Sequence, residues 1–198
     1  EPDFVINENV AWDHIDVNSG LEDTIDLVYF GSVAQRTPHN RNALRKLLEM
    51  QCDYRLFDVN IRQHYYSTEV LLDGIRNANI VKFNFDEWRL VRDVAEVGSL
   101  EELREEFELV AVASTRGSHG AELVMEGGSY HAGAAQVQVV DTVGAGDAFS
   151  AALAAGIMRG ANPQLILDTA CKAGALVVQQ AGAHAHFPQS LGRSFSLD

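Results

Sequence analysis

From about residue 26 onward, short apolar runs alternate with amphipathic stretches of helical length along the chain. The apolar runs have the length of buried strands, and the longer stretches repeat their apolar residues at the spacing of one helix face. This alternation is typical of consecutive βα units around a mainly parallel sheet. The predicted strands are IDLVYF (25–30), YRLFDV (54–59), NIVKF (79–83) and LVAVAST (109–115).

The predicted helices begin at residues that suit a helix N-terminus. Thr37 can cap a helix whose first position is Pro38. Ser99 and Glu102 have the spacing of a capping box, in which each side chain accepts a hydrogen bond from the other residue's backbone. The predicted helices cover residues 37–50, 67–78, 84–96, 99–108, 147–159 and 163–179, the last with Asn162 as its cap and Pro163 at its first position.

Two regions break the alternation. AELVME, a Gly127-Gly128 turn and SYHAGAAQVQVV predict an antiparallel hairpin that continues into an extended stretch, so we expect a mixed sheet edge. At the start of the chain, EPDFVIN resembles one isolated strand followed by polar, irregular sequence.

Composition narrows the class of protein and of partner. The 198 residues are 46% hydrophobic and 22% charged, which is typical of a globular protein with one core. A net charge of −13 argues against a broad nucleic-acid surface, so we expect a small-molecule or protein partner. Cys52 and Cys171 are too few for a disulfide framework, which favours reduced thiols and a cytoplasmic location. No apolar run approaches the roughly 18 residues of a membrane span, so we expect no membrane partner.

The segment DTVGAGD (141–147) stands directly before a helix rich in small residues. Gly144 and Gly146 remove side chains where the backbone must turn, which leaves amide N–H groups at a helix N-terminus that can hold an anion. Asp147 would stand beside a bound phosphate and could take a proton from an attacking hydroxyl, an arrangement suited to phosphoryl transfer. The plainer alternative is that Asp147 only complements the helix dipole, which is worth about 0.3–1 kcal/mol.

The stretch VVDTVGAGDAFSAALAAG (139–156) closely resembles the C-terminal signature of the ribokinase-like, or PfkB-type, carbohydrate kinases. Three more segments resemble family motifs in the expected order, namely FDVNIR (57–62), NFDE (84–87) and TRGSHGA (115–121). The resemblance implies a three-layer α/β/α ribokinase-like domain with a mainly parallel central sheet. It also implies an enzyme that transfers the γ-phosphoryl group of ATP to a sugar hydroxyl, and DVNIRQHYYSTEVL (58–71) is most similar to fructokinases.

The same resemblance implies roles for the residues of the opening motif. Asp147 would be the general base, and the amides of Gly144, Ala145 and Gly146 would form an anion hole. Asp141 would lie near a bound monovalent cation such as K⁺, with AGAHAHF (181–187) on its other side.

Further residues are assigned by their positions in the other motifs. Asn84 and Glu87 would organise Mg²⁺ through water, although the same pair would also suit a simple helix cap. The nucleotide would be bound by Thr115, Gly117 and Gly120, and the sugar by Asp58, Asn60 and Arg62, with the loop GSVAQR (31–36) approaching it. An ordinary glycine-rich connection and a surface ion pair of Arg62 are the plainer alternatives.

Family members carry an additional N-terminal region with the first strands, several sugar contacts and most of a β lid. The resemblance therefore implies that residues 1–24 are a remnant of a lid strand and its connection, and that 25–198 form the C-terminal part of the kinase domain with the ATP site. We expect a homodimer for the intact parent and little or no sugar phosphorylation by these 198 residues alone. The alternatives are a kinase for ribose, a keto-deoxy sugar acid or a nucleoside, and a non-catalytic descendant that binds a sugar or a partner.

Overall fold

The computed structural model describes residues 6–17, 24–182, 185–192 and 194–195. The centre of this described part of the chain is a six-stranded sheet in which the strands lie side by side in chain order. The first four strands run parallel and the last two form an antiparallel hairpin, which confirms the mainly parallel sheet and its mixed edge. The strands are β1 (Thr24–Gly31), β2 (Gln51–Asp58), β3 (Ile80–Asn84), β4 (Ala111–Thr115), β5 (Ala121–Met125) and β6 (Gly128–Ala132).

The helices follow the predicted order, and their caps explain where several of them begin. Thr37 accepts a hydrogen bond from the amide of Asn40 at 3.2 Å. Ser99 accepts the amide of Glu102, but the Glu102 carboxylate binds the amide of Gly98, so the predicted capping box is only half formed. The helices are α1 (Pro38–Leu48), α2 (Thr68–Asn77), α3 (Phe85–Ala95), α4 (Leu100–Glu106), α5 (Ala145–Met158), α6 (Pro163–Val177) and α7 (Gln189–Gly192).

The sheet separates two apolar clusters, which makes the three layers of the predicted α/β/α architecture. Alternate residues of a strand point to opposite faces, so Phe57 and Leu56 of β2 enter different clusters. The cluster around Phe57 also contains apolar residues of α2, α3 and α4, with Leu44 and Leu48 of α1 packed against it. The cluster around Leu56 is covered by α5 and α6.

The first described segment contains a short 3₁₀ helix at Ala11–Asp13, and a second one at Val33–Arg36 follows β1. An ion pair joins these two helices. The guanidinium of Arg36 donates to both carboxylate oxygens of Asp13, each at 2.7 Å, with both side chains buried. Much of the predicted lid remnant falls on residues 1–5 and 18–23, which lie outside the described residues. Within the described part of the chain, no helix has both the length and the apolar character needed to cross a membrane.

Candidate active site

The carboxyl ends of the parallel strands bring several of the predicted residues to one edge of the sheet. Strand register pairs Gly31 with Asp58 and Asn84 with Thr115 at this edge. In open α/β sheets, ligands bind outside the carboxyl ends of the strands. Because the N-terminal turn of α5 meets the same edge, the candidate site combines strand ends with a helix N-terminus.

The helix that follows DTVGAGD begins two residues earlier than the sequence predicts, at Ala145. Gly144 is its cap, with a φ of 83° in the left-handed region that a glycine adopts without strain. The amide of Ala148 donates to the carbonyl of Gly144 at 2.9 Å and opens the helical hydrogen-bond series. The amides before Ala148 belong to the N-terminal turn, where backbone N–H groups lack partners within the helix and favour an anion. Among them, the amide of Ala145 also donates to the Thr142 carbonyl at 3.3 Å. Asp147 is exposed in this same turn.

Asp58 lies below the turn, and its carboxylate accepts hydrogen bonds from three side chains. The Lys82 ammonium lies 3.1 Å from its Oδ1 and 3.0 Å from its Oδ2. The hydroxyls of Ser150 and Tyr29 donate to Oδ2 at 3.1 and 3.0 Å. Asp58 is 2% exposed and Lys82 is 7% exposed, so this cluster is part of the interior.

Three residues of this cluster were not predicted as site residues from the sequence, namely Lys82, Tyr29 and Ser150. Lys82 carried the clearest signal, since it is a charged residue inside the otherwise apolar strand segment NIVKF, and a buried charge requires a partner. Tyr29 and Ser150 carry no comparable signal, because a tyrosine in a strand and a serine in a small-residue helix are both ordinary.

The Tyr29 hydroxyl is shared by two carboxylates. It lies 3.0 Å from Oδ2 of Asp58 and 3.3 Å from Oδ1 of Asp147. Burial of the phenol, together with the negative charges of Asp58 and Asp147, raises the pKa of Tyr29 well above its usual range. The phenol therefore keeps its proton at neutral pH and acts as a hydrogen-bond donor.

NFDE forms a complete capping box at the start of α3. Asn84 accepts the amide of Glu87 at 2.9 Å, and Oε2 of Glu87 accepts the amide of Asn84 at 2.8 Å. Oε1 of Glu87 also accepts the amide of Ile61 at 2.7 Å, which ties the loop after β2 to α3. Burial raises the pKa of Glu87, and the N–H donors of Asn84 and Ile61 oppose that shift.

Asp141 links the turn before α5 to the segment after α6. Its Oδ1 accepts the amide of Val143 and its Oδ2 accepts the amide of Gly182, both at 3.0 Å. These backbone N–H groups lower the pKa of Asp141, so the side chain is a carboxylate at neutral pH. Part of the predicted cation loop, residues 183–184, lies outside the described residues.

The glycines of TRGSHGA have conformational reasons to be glycine. Gly117 has a φ of 54° and Gly120 a φ of 89°. A Cβ built on Gly120 would lie 1.9 Å from the carbonyl oxygen of Ala132, so no side chain fits there. The Arg116 amide donates to the Gly120 carbonyl at 2.7 Å and closes the loop directly after Thr115. These contacts account for the shape of the loop, and its role toward a nucleotide stays a prediction.

The residues predicted to bind sugar are divided between the surface and the interior. Arg62 is exposed, with Nη1 donating to the carbonyl of Ile61 at 2.9 Å, and Asn60 has a φ of 40° in the loop before it. Asp58 is instead enclosed by the contacts described above. Ser32 of GSVAQR is also buried, and its hydroxyl donates to the Val59 carbonyl at 2.6 Å.

Comparison with known proteins gives the same class as the fold and the motifs. The profile of the pfkB family carbohydrate kinases matches residues 3–190. Fructokinase of Escherichia coli is 31% identical over 150 residues, which are 67% of this chain and 47% of that protein. The protein described here belongs to the pfkB family of carbohydrate kinases. It spans about half the length of most curated relatives that it matches.

Two solved structures share the ribokinase-like fold with this chain. The sugar kinase PH1459 from Pyrococcus horikoshii, in complex with ATP, is 26% identical with a TM-score of 0.75, over 92% of this chain and 62% of that one. Aminoimidazole riboside kinase from Salmonella enterica, complexed with aminoimidazole riboside and an ATP analogue, is 26% identical with a TM-score of 0.67. The match covers 89% of this chain and 65% of the Salmonella kinase.

Proposed function

We propose that the protein transfers the γ-phosphoryl group of ATP to a hydroxyl of a small sugar, with Asp147 as the general base. The observation that carries this proposal is the position of Asp147, exposed in the N-terminal turn of α5 beside the amides of Gly144, Ala145 and Gly146. One turn thus offers a carboxylate for the proton and N–H groups for the phosphoryl oxygens. The ATP complex of the Pyrococcus sugar kinase supports ATP as the donor.

The proposed reaction is a single displacement in which the acceptor hydroxyl oxygen forms the new O–P bond. The bond from the γ-phosphorus to the oxygen of the leaving ADP breaks, and the hydroxyl proton passes to Asp147. The amides at the α5 N-terminus stabilise negative charge on the phosphoryl oxygens, and the helix dipole acts in the same direction. Positioning and charge stabilisation are the main contributions an enzyme makes to phosphoryl transfer.

Asn84 and Glu87 suit magnesium held through water. Within the described residues, no group of three or more His, Cys, Asp or Glu side chains could hold a metal ion. Each Glu87 oxygen accepts one backbone N–H, which leaves lone pairs for water on a carboxylate. Mg²⁺ usually keeps several waters and binds substrate phosphates, whose negative charge it neutralises.

Two loops complete the proposed nucleotide site. Thr115, Gly117 and Gly120 present the TRGSHGA loop at the carboxyl end of β4, next to Asn84. Asp141 joins the α5 turn to the backbone at Gly182, which is where we place a monovalent cation such as K⁺. A cation there would act on the loop that shapes the anion hole.

The acceptor we favour is fructose or a related sugar, bound in part by Asn60 and Arg62. The identity to Escherichia coli fructokinase supports this choice. We propose a positioning role for Asp58 in place of the sugar contact, because its carboxylate is enclosed by Lys82, Ser150 and Tyr29. A nucleoside is the second candidate acceptor, favoured by the likeness to aminoimidazole riboside kinase.

Asp147→Asn in the complete gene product tests the base. We expect kcat to fall by about a hundredfold or more, while ATP binding is nearly retained. Glu69→Gln is the matched control, since Glu69 is an exposed carboxylate in the first turn of α2 and its loss tests a helix-dipole effect alone. A fall of less than about tenfold for Asp147→Asn would contradict the assignment.

ADP release measured with fructose, ribose, a keto-deoxy sugar acid and a nucleoside identifies the acceptor. The highest kcat/KM with fructose supports the fructokinase-like assignment, and the highest value with a nucleoside supports the second candidate. ATP binding without turnover on any of the four would favour a non-catalytic descendant of the family.

A further inference from the structure

The Asp58–Lys82 ion pair lies directly behind the proposed anion hole. A Cβ built on Gly146 would lie 3.3 Å from Nζ of Lys82, so the ammonium group packs against the backbone of the α5 turn. A buried ion pair is stable only when its remaining hydrogen-bonding capacity is used, and here Ser150 and Tyr29 supply the extra donors to Asp58. Four neighbouring elements, β1, β2, β3 and α5, are therefore joined at one fixed carboxylate.

Tyr29 connects this fixed carboxylate to the proposed base. The residue as a whole is 47% exposed, but its hydroxyl lies between Oδ2 of Asp58 and Oδ1 of Asp147. A phenol carries one proton, so it makes one strong hydrogen bond at a time or two weak ones. Asp58 has donors from Lys82 and Ser150 as well, whereas the hydroxyl of Tyr29 is the side-chain donor that the described residues provide to Asp147.

We propose that Tyr29 is a positioning residue for Asp147, which it holds through Oδ1 while the buried Asp58–Lys82 pair holds the Tyr29 hydroxyl in place. This inference rests on the proposed function, in which Asp147 is the base. The contact to Oδ1 orients the carboxylate and leaves Oδ2 for the acceptor hydroxyl. When Asp147 takes the proton, Asp58 is the charged acceptor that remains, and the Tyr29 hydrogen bond turns to it. No covalent bond of Tyr29 changes.

The arrangement predicts how the kinetic constants respond when the hydroxyl is removed. The charged groups that the described residues place around the Tyr29 hydroxyl are Asp58 from β2 and Asp147 from α5, with Lys82 from β3 behind Asp58. Without the hydroxyl, Oδ1 of Asp147 loses the side-chain donor that orients it, while Asp58 keeps its contacts with Lys82 and Ser150. Proton transfer should therefore become slower, and binding of ATP should be nearly unaffected.

Tyr29→Phe in the complete gene product is the test, since it removes only the hydroxyl and keeps the ring. We expect kcat to fall by about tenfold or more, with little change in the KM for ATP or for the acceptor. Tyr54→Phe is the matched control, because Tyr54 packs on the same face of the sheet, farther from its carboxyl edge. It should leave kcat and both KM values unchanged.

The outcomes separate this inference from the proposed function. If Asp147→Asn retains activity, the base assignment fails and the role of Tyr29 fails with it. If Asp147→Asn abolishes activity while Tyr29→Phe keeps the wild-type kcat, only the positioning role is overturned. If Tyr29→Phe lowers thermal stability and raises the KM for ATP and for the acceptor along with the fall in kcat, the contact is structural, which also overturns the proposal.

Discussion

Lys82 contacts both carboxylate oxygens of Asp58, at 3.1 and 3.0 Å, across neighbouring parallel strands in the interior of the protein. Removing one partner of a buried pair leaves an uncompensated charge, whereas replacing both by neutral residues leaves no buried charge. Lys82→Met should therefore lower the free energy of unfolding by about 3–5 kcal/mol. The double variant Lys82→Met with Asp58→Asn should lose less than Lys82→Met alone. Urea denaturation measures both variants, and a double variant that loses as much as Lys82→Met or more would contradict the coupling.

Gly74 of α2 has no room for a side chain, because the ring of Phe57 packs against it. A Cβ at this position would lie 2.5–2.8 Å from three ring atoms of Phe57, which is itself fully buried. Alanine gains about 1 kcal/mol of helix propensity over glycine, but overpacking a core costs about 1–3 kcal/mol. We expect Gly74→Ala to lower the melting temperature. Gly133→Ala, where a Cβ meets nothing within 4 Å, should leave it nearly unchanged. A more stable Gly74→Ala variant would contradict this packing.

The Arg36–Asp13 pair predicts a pH dependence of stability. The hydrogen bonds from Arg36 lower the pKa of Asp13 from 3.8 to about 2. A carboxyl whose pKa is lower in the folded state binds protons more readily when unfolded, so its contribution is present above pH 3.8 and is lost as pH falls toward 2. Asp13→Asn should be less stable than wild type at pH 6, and the difference should narrow on acidification from pH 4 to pH 2.

The matched control for this pair is Asp16→Asn. Asp16 lies 3.1 Å from His39 in an exposed pair, and exposed ion pairs contribute little to stability. Its difference from wild type should be small at every pH. A constant difference between wild type and Asp13→Asn from pH 6 to pH 2 would show that Asp13 contributes through packing and not through its charge.

The two hydrogen bonds of Asp141 predict that its substitution raises the KM for ATP. Its two oxygens accept the amides of Val143 and Gly182, and asparagine offers one acceptor oxygen where two are needed. Asp141→Asn should raise the KM for ATP more than it lowers kcat, because the turn that carries the anion hole loses one of its two ties. Initial rates in K⁺ and in tetramethylammonium buffers test the proposed cation, whose stimulation should weaken in the variant. Equal K⁺ stimulation of both proteins would contradict a cation near Asp141.

Local sequence features predicted the elements well, because each depends on neighbouring residues. Apolar spacing located the strands and helices, and Thr37 caps α1 as its side chain suggests. Residues that act through distant partners were harder to assign. Asp58 was predicted to contact sugar from its motif, yet its partners come from β1, β3 and α5, which no spacing within FDVNIR could show.

The start of α5 shows the same limit on a smaller scale. The sequence predicted a helix over 147–159, but the left-handed Gly144 starts it at Ala145. Asp147 is therefore the third residue of α5, and its Oδ1 lies 3.3 Å from the Tyr29 hydroxyl. The motif predicted a carboxylate near an anion site, and the backbone conformation decided which way the Asp147 side chain points.

By itself, the sequence determined the class of fold, the order of its elements and the motif that carries the proposed base, since hydrophobic periodicity, caps and glycine turns are read within a few residues. Only the tertiary structure decided that Tyr29, Asp58, Lys82 and Asp147 meet at one place. These residues are far apart in the chain and are joined by strand register and by the packing of α5 on the sheet. Burial then makes the pairing of Asp58 with Lys82 obligatory, because a charged side chain removed from water is stable only beside a partner.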